Sequence, residues 1–188
     1  MNETLKTIAE RYSCRDFADT KLTSEQIEAI IKAALAAPSG MNSQPWHILV
    51  VTDKALIEEM DDEGVKILAA AEDQSAYERV KSRGGKMFYN APCMFIIASD
   101  GSAYAKMDCG ILSQNITLAA HSLGLASVIC AMAGIPFKGP RGDEFKKRVK
   151  LPDGYEFAIS VLAGKAKSGK VPHELDMNKV TYISGPEK

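Results

Sequence analysis

The sequence predicts a single mixed domain in which helices cover a β-sheet, on three observations. Four short apolar runs, at residues 47–52, 91–99, 126–131 and 155–164, have the length and β-branched content of buried strands. Segments with apolar residues at helical spacing lie between and before them. No low-complexity tract, repeat or linker divides the chain, so residues 1–188 are expected to form one domain, long enough to bury a sizeable core. Connectivity alone leaves parallel and antiparallel pairing both open.

Each element has its own justification. Residues 2–12 place Leu5, Ile8, Ala9 and Tyr12 on one helical stripe, and "SCRDF" after them reads as extended. In "TSEQIEAIIKAALAAP" Thr23 and Gln26 form a capping-box pattern, while Ile27, Ile30, Ile31, Ala34 and Leu35 recur at helical spacing. Pro38 ends that helix, because the residue before a proline avoids helical dihedrals. The strand "HILVVT" is followed by a short helix at 53–60. Residues 61–85 are polar and weakly patterned, and predict a helix plus a mobile excursion. "APCMFIIAS" is the second strand, 103–123 a long apolar helix stopped by Gly124, and "ASVICA" the third strand. "DEFKKRV" predicts a short helix and "YEFAISVLAG" the fourth strand. The tail "HELDMNKVTYISGPEK" ends in a strand-like "VTYI" with no local partner, an arm of the kind that pairs with a second subunit.

Composition narrows the function classes. Lys+Arg number 23 against 24 Asp+Glu, a net charge of −1, so no global field favours nucleic acid or an anionic membrane. No apolar run reaches the ~18 residues of a membrane span, and the N-terminus lacks an apolar signal segment. Cys14, Cys93, Cys109 and Cys130 are widely spaced without CxxC, and His47, His121 and His173 show no HxxxH. A cytoplasmic, reduced, metal-free protein is the expectation.

Four stretches carry candidate chemistry. In an extended "RYSCR", Arg11, Ser13 and Arg15 share a face while Tyr12 and Cys14 point the other way. Two guanidiniums and a hydroxyl suit a phosphate, although a basic surface stretch would look the same. The loop "APSGMNSQPW" concentrates Pro38, Ser39, Gly40, Asn42, Gln44 and the single Trp, more polar and backbone-shaping chemistry than a turn requires. Such mixed donors and acceptors suit a planar heterocycle, or simply cap a helix-to-strand connection. "GKAKSGKV" mimics a P-loop, but Val171 stands where Mg²⁺ needs Ser or Thr and no adequate helix follows, so nucleotide hydrolysis is rejected. In "GGKMFYNAP", an inward Lys86 would hold negative charge developing on a ring. No Ser–His–Asp or Cys–His arrangement can be assembled, so no catalytic acid, base or nucleophile is named.

These motifs, in this order, resemble the nitroreductase family of FMN-dependent oxidoreductases. The resemblance rests on "RYSCRDFADTKLTSEQIEAIIKAALAAPSGMNSQPWHILVV", and then on "KMFYNAPCMFIIA", "DCGILSQNITLAAHSLGLAS" and "AISVLAGKAKSGK". It implies an α+β fold with a central, mainly antiparallel sheet flanked by helices, in an intertwined homodimer with C-terminal arm exchange over about 172–188. It implies FMN at the subunit interface, NAD(P)H as hydride donor and a small-molecule electron acceptor such as a nitroaromatic or quinone. Arg11, Tyr12, Ser13 and Arg15, with Lys165 and Lys167, match the family's phosphate-binding residues. Pro38, Ser39, Gly40 and Asn42 match the loop that reaches the flavin ring from the other subunit, with Gln44 as a brace. Lys86 matches a lysine at the N1/O2 edge of the ring. Ile129, Cys130, Ala131 and Met132 match the segment whose backbone faces N5, and Asp108 and Ile111 are weaker candidates. Two departures stand out: Gly40 replaces a serine found in many relatives, and "CAMAG" lacks the acidic residue some relatives carry near N5. The resemblance also leaves open a specialised branch, a dehalogenase or flavin-dependent dehydrogenase, or an FMN-storage protein with little turnover.

Overall fold

In the computed structural model, which describes residues 1–183, four antiparallel strands form one sheet in the order β1-β2-β4-β3. They are β1 (Trp46–Val51), β2 (Cys93–Ser99), β3 (Ala126–Ile129) and β4 (Glu156–Gly164). All three pairings are antiparallel, with Trp46 opposite Ser99, Cys93 opposite Ala163 and Ala126 opposite Gly164. The question that connectivity left open is thereby answered.

Six helices surround the sheet: α1 (Glu3–Glu10), α2 (Ser24–Leu35), α3 (Lys54–Ala69), α4 (Ser75–Lys81), α5 (Ala105–Ser122) and α6 (Gly142–Arg148). Alternation along β2 sorts them into two layers, since successive side chains of a strand leave opposite faces. Met94 and Ile96 pack with Met60, Phe88 and Phe145 on the face that carries α3 and α6. Cys93, Phe95 and Ile97 pack with Ile30, Leu112 and Ile116 on the face that carries α2 and α5. Every residue of β2 is therefore buried, which is why the segment reads as an unbroken apolar run. The α2 capping box forms as its sequence pattern requires, with Thr23 Oγ1 accepting from Gln26 N–H and the Gln26 side chain accepting from Thr23 N–H.

One expectation needs correction. The helix expected at 53–60 runs to Ala69, and α4 follows at Ser75–Lys81, so much of 61–85 is regular. Leu56, Ile57, Met60, Gly64 and Leu68 continue one buried stripe. Gly64 lies on it because the Met87 side chain packs there: a Cβ at 64 would come within 1.9 Å of Met87 Cε. "VTYI" forms no strand within the chain; Val180, Tyr182 and Ile183 are exposed at 49%, 80% and 94%. A single extended segment without a neighbouring strand has no ladder to join. The remainder of the expected arm, 184–188, lies outside the described residues. No helix among the described residues is long and apolar enough to cross a membrane.

Candidate functional site

The "RYSCR" stretch is extended, as expected, and it is tied to the far end of the sheet. Arg11 closes α1 with its N–H donating to the Thr7 carbonyl at 3.1 Å. Ser13 forms a parallel bridge with Ser127 of β3, and Cys14 N–H donates to the Ser127 carbonyl at 3.0 Å. Cys14 turns into the core while Arg15 is exposed, which is the alternation the extended reading requires. Downstream, Phe17 bridges Ala166, Ala18 N–H donates to the Lys165 carbonyl at 2.8 Å, and Lys167 N–H to the Asp16 carbonyl at 3.0 Å. The Tyr12 hydroxyl reaches the Ser168 carbonyl at 3.3 Å. Arg11, Ser13 and Arg15 are thus brought beside Lys165 and Lys167, a convergence across some 150 residues of sequence.

This corner also holds two unpartnered buried polar atoms. Among the described residues, the buried side-chain polar atoms without a hydrogen-bond partner are Arg11 Nε and Ser127 Oγ, both beside the Ser13–Ser127 bridge. Leaving a buried polar group unpaired costs about 1–3 kcal/mol. Asp16 is an acid in this corner, with one carboxylate oxygen 3.7 Å from Lys167 Nζ. An anion suits that donor-rich set.

A second group of expected residues lines the same side of the molecule. The Tyr89 carbonyl accepts from Phe17 N–H at 3.4 Å, so the 86–89 segment adjoins this corner. Lys86 does not hang free: its ammonium is 2.7 Å from Asp62 of α3, and that partner raises its pKa. Asp61, buried at 3% exposure, accepts from Met87 N–H at 2.8 Å. Cys130 is buried, its thiol pointing to the Met87 carbonyl at 3.9 Å, and burial pushes that thiol up to about 11. It stays protonated near neutrality, so its segment offers backbone rather than a nucleophile. Ile129 and Ala131 are exposed and Met132 is half-buried.

The polar loop is held elsewhere. Gly40–Asn42 make a short 3-10 turn, with Met41, Asn42 and Gln44 at φ of 53°, 55° and 48°. Ser39 Oγ accepts from Gln44 N–H at 3.0 Å and Gln44 Nε2 donates to Asn42 Oδ1 at 3.4 Å, so Gln44 braces the loop. Gly40 N–H donates to both carboxylate oxygens of Asp108, at 3.3 Å each. Asp108 therefore anchors the loop to the first turn of α5, while Met41 is 90% exposed and Asn42 also faces outward. Ile111 is half-buried against the apolar core. Gly40 is glycine for a local reason too: a Cβ there would sit 3.0 Å from the Tyr104 ring.

Sequence reasoning missed Ser127, Asp61 and Tyr104. Asp61 gave a faint signal, an acid on the apolar stripe of a helix; Ser127 and Tyr104 gave none. Among the described residues, no group of three or more His, Cys, Asp or Glu is placed to hold a metal ion.

An antiparallel sheet between two helical layers, with a cationic corner and a polar loop fixed to a central helix, describes an α+β domain. The nitroreductase family model matches residues 8–165, and the chain belongs to that family. A crystal structure of a nitroreductase with bound FMN from Desulfitobacterium hafniense superposes with a TM-score of 0.95 at 51% identity, covering 98% of this chain and 100% of the other. An Archaeoglobus fulgidus protein provisionally named NADH dehydrogenase/NAD(P)H nitroreductase is 30% identical over 182 residues, 94% of this chain and 92% of its own. An NAD(P)H-dependent FMN reductase of Bacillus subtilis is 28% identical over 204 aligned positions, 100% of this chain and 77% of its own.

Proposed function

We propose that this protein is an FMN-dependent NAD(P)H oxidoreductase that passes reducing equivalents to a nitroaromatic, quinone or similar small acceptor by ping-pong turnover. The observation that carries the reading is the unpartnered Arg11 Nε in a corner shared with Arg15, Lys165 and Lys167. A phosphate monoester fits that donor set, because guanidinium N–H groups match its oxygens. FMN, when bound, supplies a ring that takes hydride from NAD(P)H at N5 and gives it up to the acceptor.

The protein's own contribution is binding, orientation and charge. Arg11, Tyr12, Ser13, Arg15, Lys165 and Lys167 would hold the phosphate. Lys86 would place positive charge at the N1/O2 edge of the ring, where reduction develops negative charge. Ile129 to Met132 would present backbone groups to the N5 edge, and Pro38, Ser39, Gly40 and Asn42 would cover the ring from a second subunit. Within one chain the loop is fixed to Asp108 in the first turn of α5, while Glu10, beside Arg11, lies 3.9 Å from His121 in its last turn. At ~1.5 Å per residue these anchors are roughly 20 Å apart along the helix. That separation supports a homodimer in which each site takes its loop from one chain and its phosphate clamp from the other.

Denaturing the purified protein should release FMN, identified by chromatography against FAD and riboflavin. Anaerobic NADH or NADPH should bleach the flavin, and a nitroaromatic or quinone should restore its colour. Finding FAD, or no flavin after reconstitution, overturns the reading. A bound flavin that neither nicotinamide bleaches would make this a flavin-binding protein rather than an enzyme.

A further inference from the structure

The buried acid on α3 has no place in the chemistry above, and the fold carries it at a cost. Asp61 is 3% exposed, and its neighbour Asp62, rather than Asp61 itself, makes the close ion pair with Lys86. Its bond is to backbone: an oxygen accepts from Met87 N–H at 2.8 Å. Burial without a cation in direct contact pushes this carboxyl up to about 6. A buried carboxylate of this kind is expensive unless it does something.

Its neighbours show what it touches. Asp61, Asp62 and Gly64 lie within one turn of α3, and all three engage residues 86–87: a hydrogen bond to Met87, an ion pair to Lys86 and a close seat for the Met87 side chain. Beyond Met87, its carbonyl faces the Cys130 thiol at 3.9 Å, and the Cys130 carbonyl accepts from Ser160 Oγ at 2.8 Å. The two segments expected at opposite edges of the flavin ring are thereby linked through one peptide.

We propose that Asp61 is a positioning residue for the cofactor: by fixing the Met87 peptide it sets where the Lys86 ammonium is held against the flavin ring. The inference rests on the proposed function, in which Lys86 serves the ring edge. Asp61 itself touches neither cofactor nor acceptor.

Two nearly isosteric neutral substitutions separate the hydrogen bond from the charge. Asp61→Asn keeps an acceptor oxygen for Met87 N–H, whereas Asp61→Leu fills the same space without one; Asp61→Ala serves if the Leu variant does not fold. Because both lack the charge, the difference between them isolates the oxygen. FMN dissociation constants and flavin midpoint potentials of the reconstituted proteins are measured in the wild-type and Lys86→Met backgrounds. Relative to Asp61→Asn, Asp61→Leu is expected to bind FMN roughly tenfold more weakly. Its midpoint potential is expected to be more negative, because a misplaced ammonium no longer stabilises the reduced ring. Both differences should vanish in the Lys86→Met background, since a residue acting through Lys86 has nothing left to act on. Equal differences in the two backgrounds, or none in either, overturn the proposal. If Lys86→Met alone leaves affinity and potential unchanged, the ring-edge role of Lys86 fails instead.

Discussion

The same carboxylate gives a prediction about the protein without any cofactor. Burial raises Asp61 from an ordinary value of 3.8 to about 6. For a raised acid, the favourable contribution is complete below the unfolded value and is lost as pH climbs through the folded one. The gap between 3.8 and about 6 corresponds to about 3 kcal/mol over the whole window. Roughly half of that should appear between pH 5 and pH 8, because the unfolded carboxyl is already mostly ionised at pH 5. The perturbation is Asp61→Asn, which removes the titration while keeping the shape. The assay is urea unfolding of the apoprotein at several pH values, comparing wild type with variant at each. The new amide adds a fixed offset, since its NH₂ must find partners in a buried place, but it adds no slope across this range. The wild type should therefore lose about 1–2 kcal/mol relative to the variant between pH 5 and pH 8. Parallel stability profiles would refute the claim that the fold carries this charge at a cost.

Three further outcomes are expected. Arg11→Ala should weaken FMN binding about tenfold or more, the worth of a charge-assisted hydrogen bond, while leaving riboflavin binding unchanged. Titration of both flavins checks it, and an equal loss for each would remove Arg11 from the phosphate. Asp108→Ala frees the Gly40 N–H and the ring loop, and should lower FMN affinity by roughly tenfold, the lower end for charged hydrogen bonds because both contacts are 3.3 Å long. Truncation from Leu175 should cost the dimer and the bound FMN together, read by sedimentation with and without FMN; a monomer that binds FMN at full strength would place the whole site in one chain.

The legibility of this chain followed from how local each cause was. β2 was readable because both of its faces are covered, leaving nine consecutive buried residues at 91–99. The α2 boundaries were readable because Thr23, Gln26 and Pro38 act within a few residues of themselves. The second half of α3 was not, because Asp61 and Gly64 look like interruptions until Met87, over twenty residues away, is seen to need both. The candidate site divides the same way. The alternation of "RYSCR" was readable locally, but nothing local says that Phe17 pairs with Ala166 and so brings Lys165 and Lys167 near it. Asp108 read as a weak ligand contact, whereas its carboxylate is occupied with Gly40. "VTYI" carries strand propensity, but propensity makes a strand only where another strand is present, and the partner proposed for it belongs to a second subunit.

Under the proposed function, the long central helix would tie assembly to cofactor binding. α5 holds the polar loop at its first turn through Asp108 and lies beside the end of α1 at its last turn through His121 and Glu10. A rigid helix keeps those two pieces apart in every copy of the chain. No loop movement compatible with the Gly40–Asp108 contacts would bring Asn42 to Arg11 within one subunit. In the proposed homodimer a second copy would resolve this without moving either piece, because a two-fold arrangement would present each loop to the other chain's basic corner. The exposed Leu175, Met177, Tyr182 and Ile183 supply apolar surface that a monomer leaves in water. Anything that binds only the assembled site then stabilises the dimer by mass action, by about 2.7 kcal/mol at a hundredfold excess over its dissociation constant. Apoprotein diluted toward its dimer dissociation constant should therefore reassociate on adding FMN, and a weaker response to riboflavin would trace that coupling to the phosphate clamp.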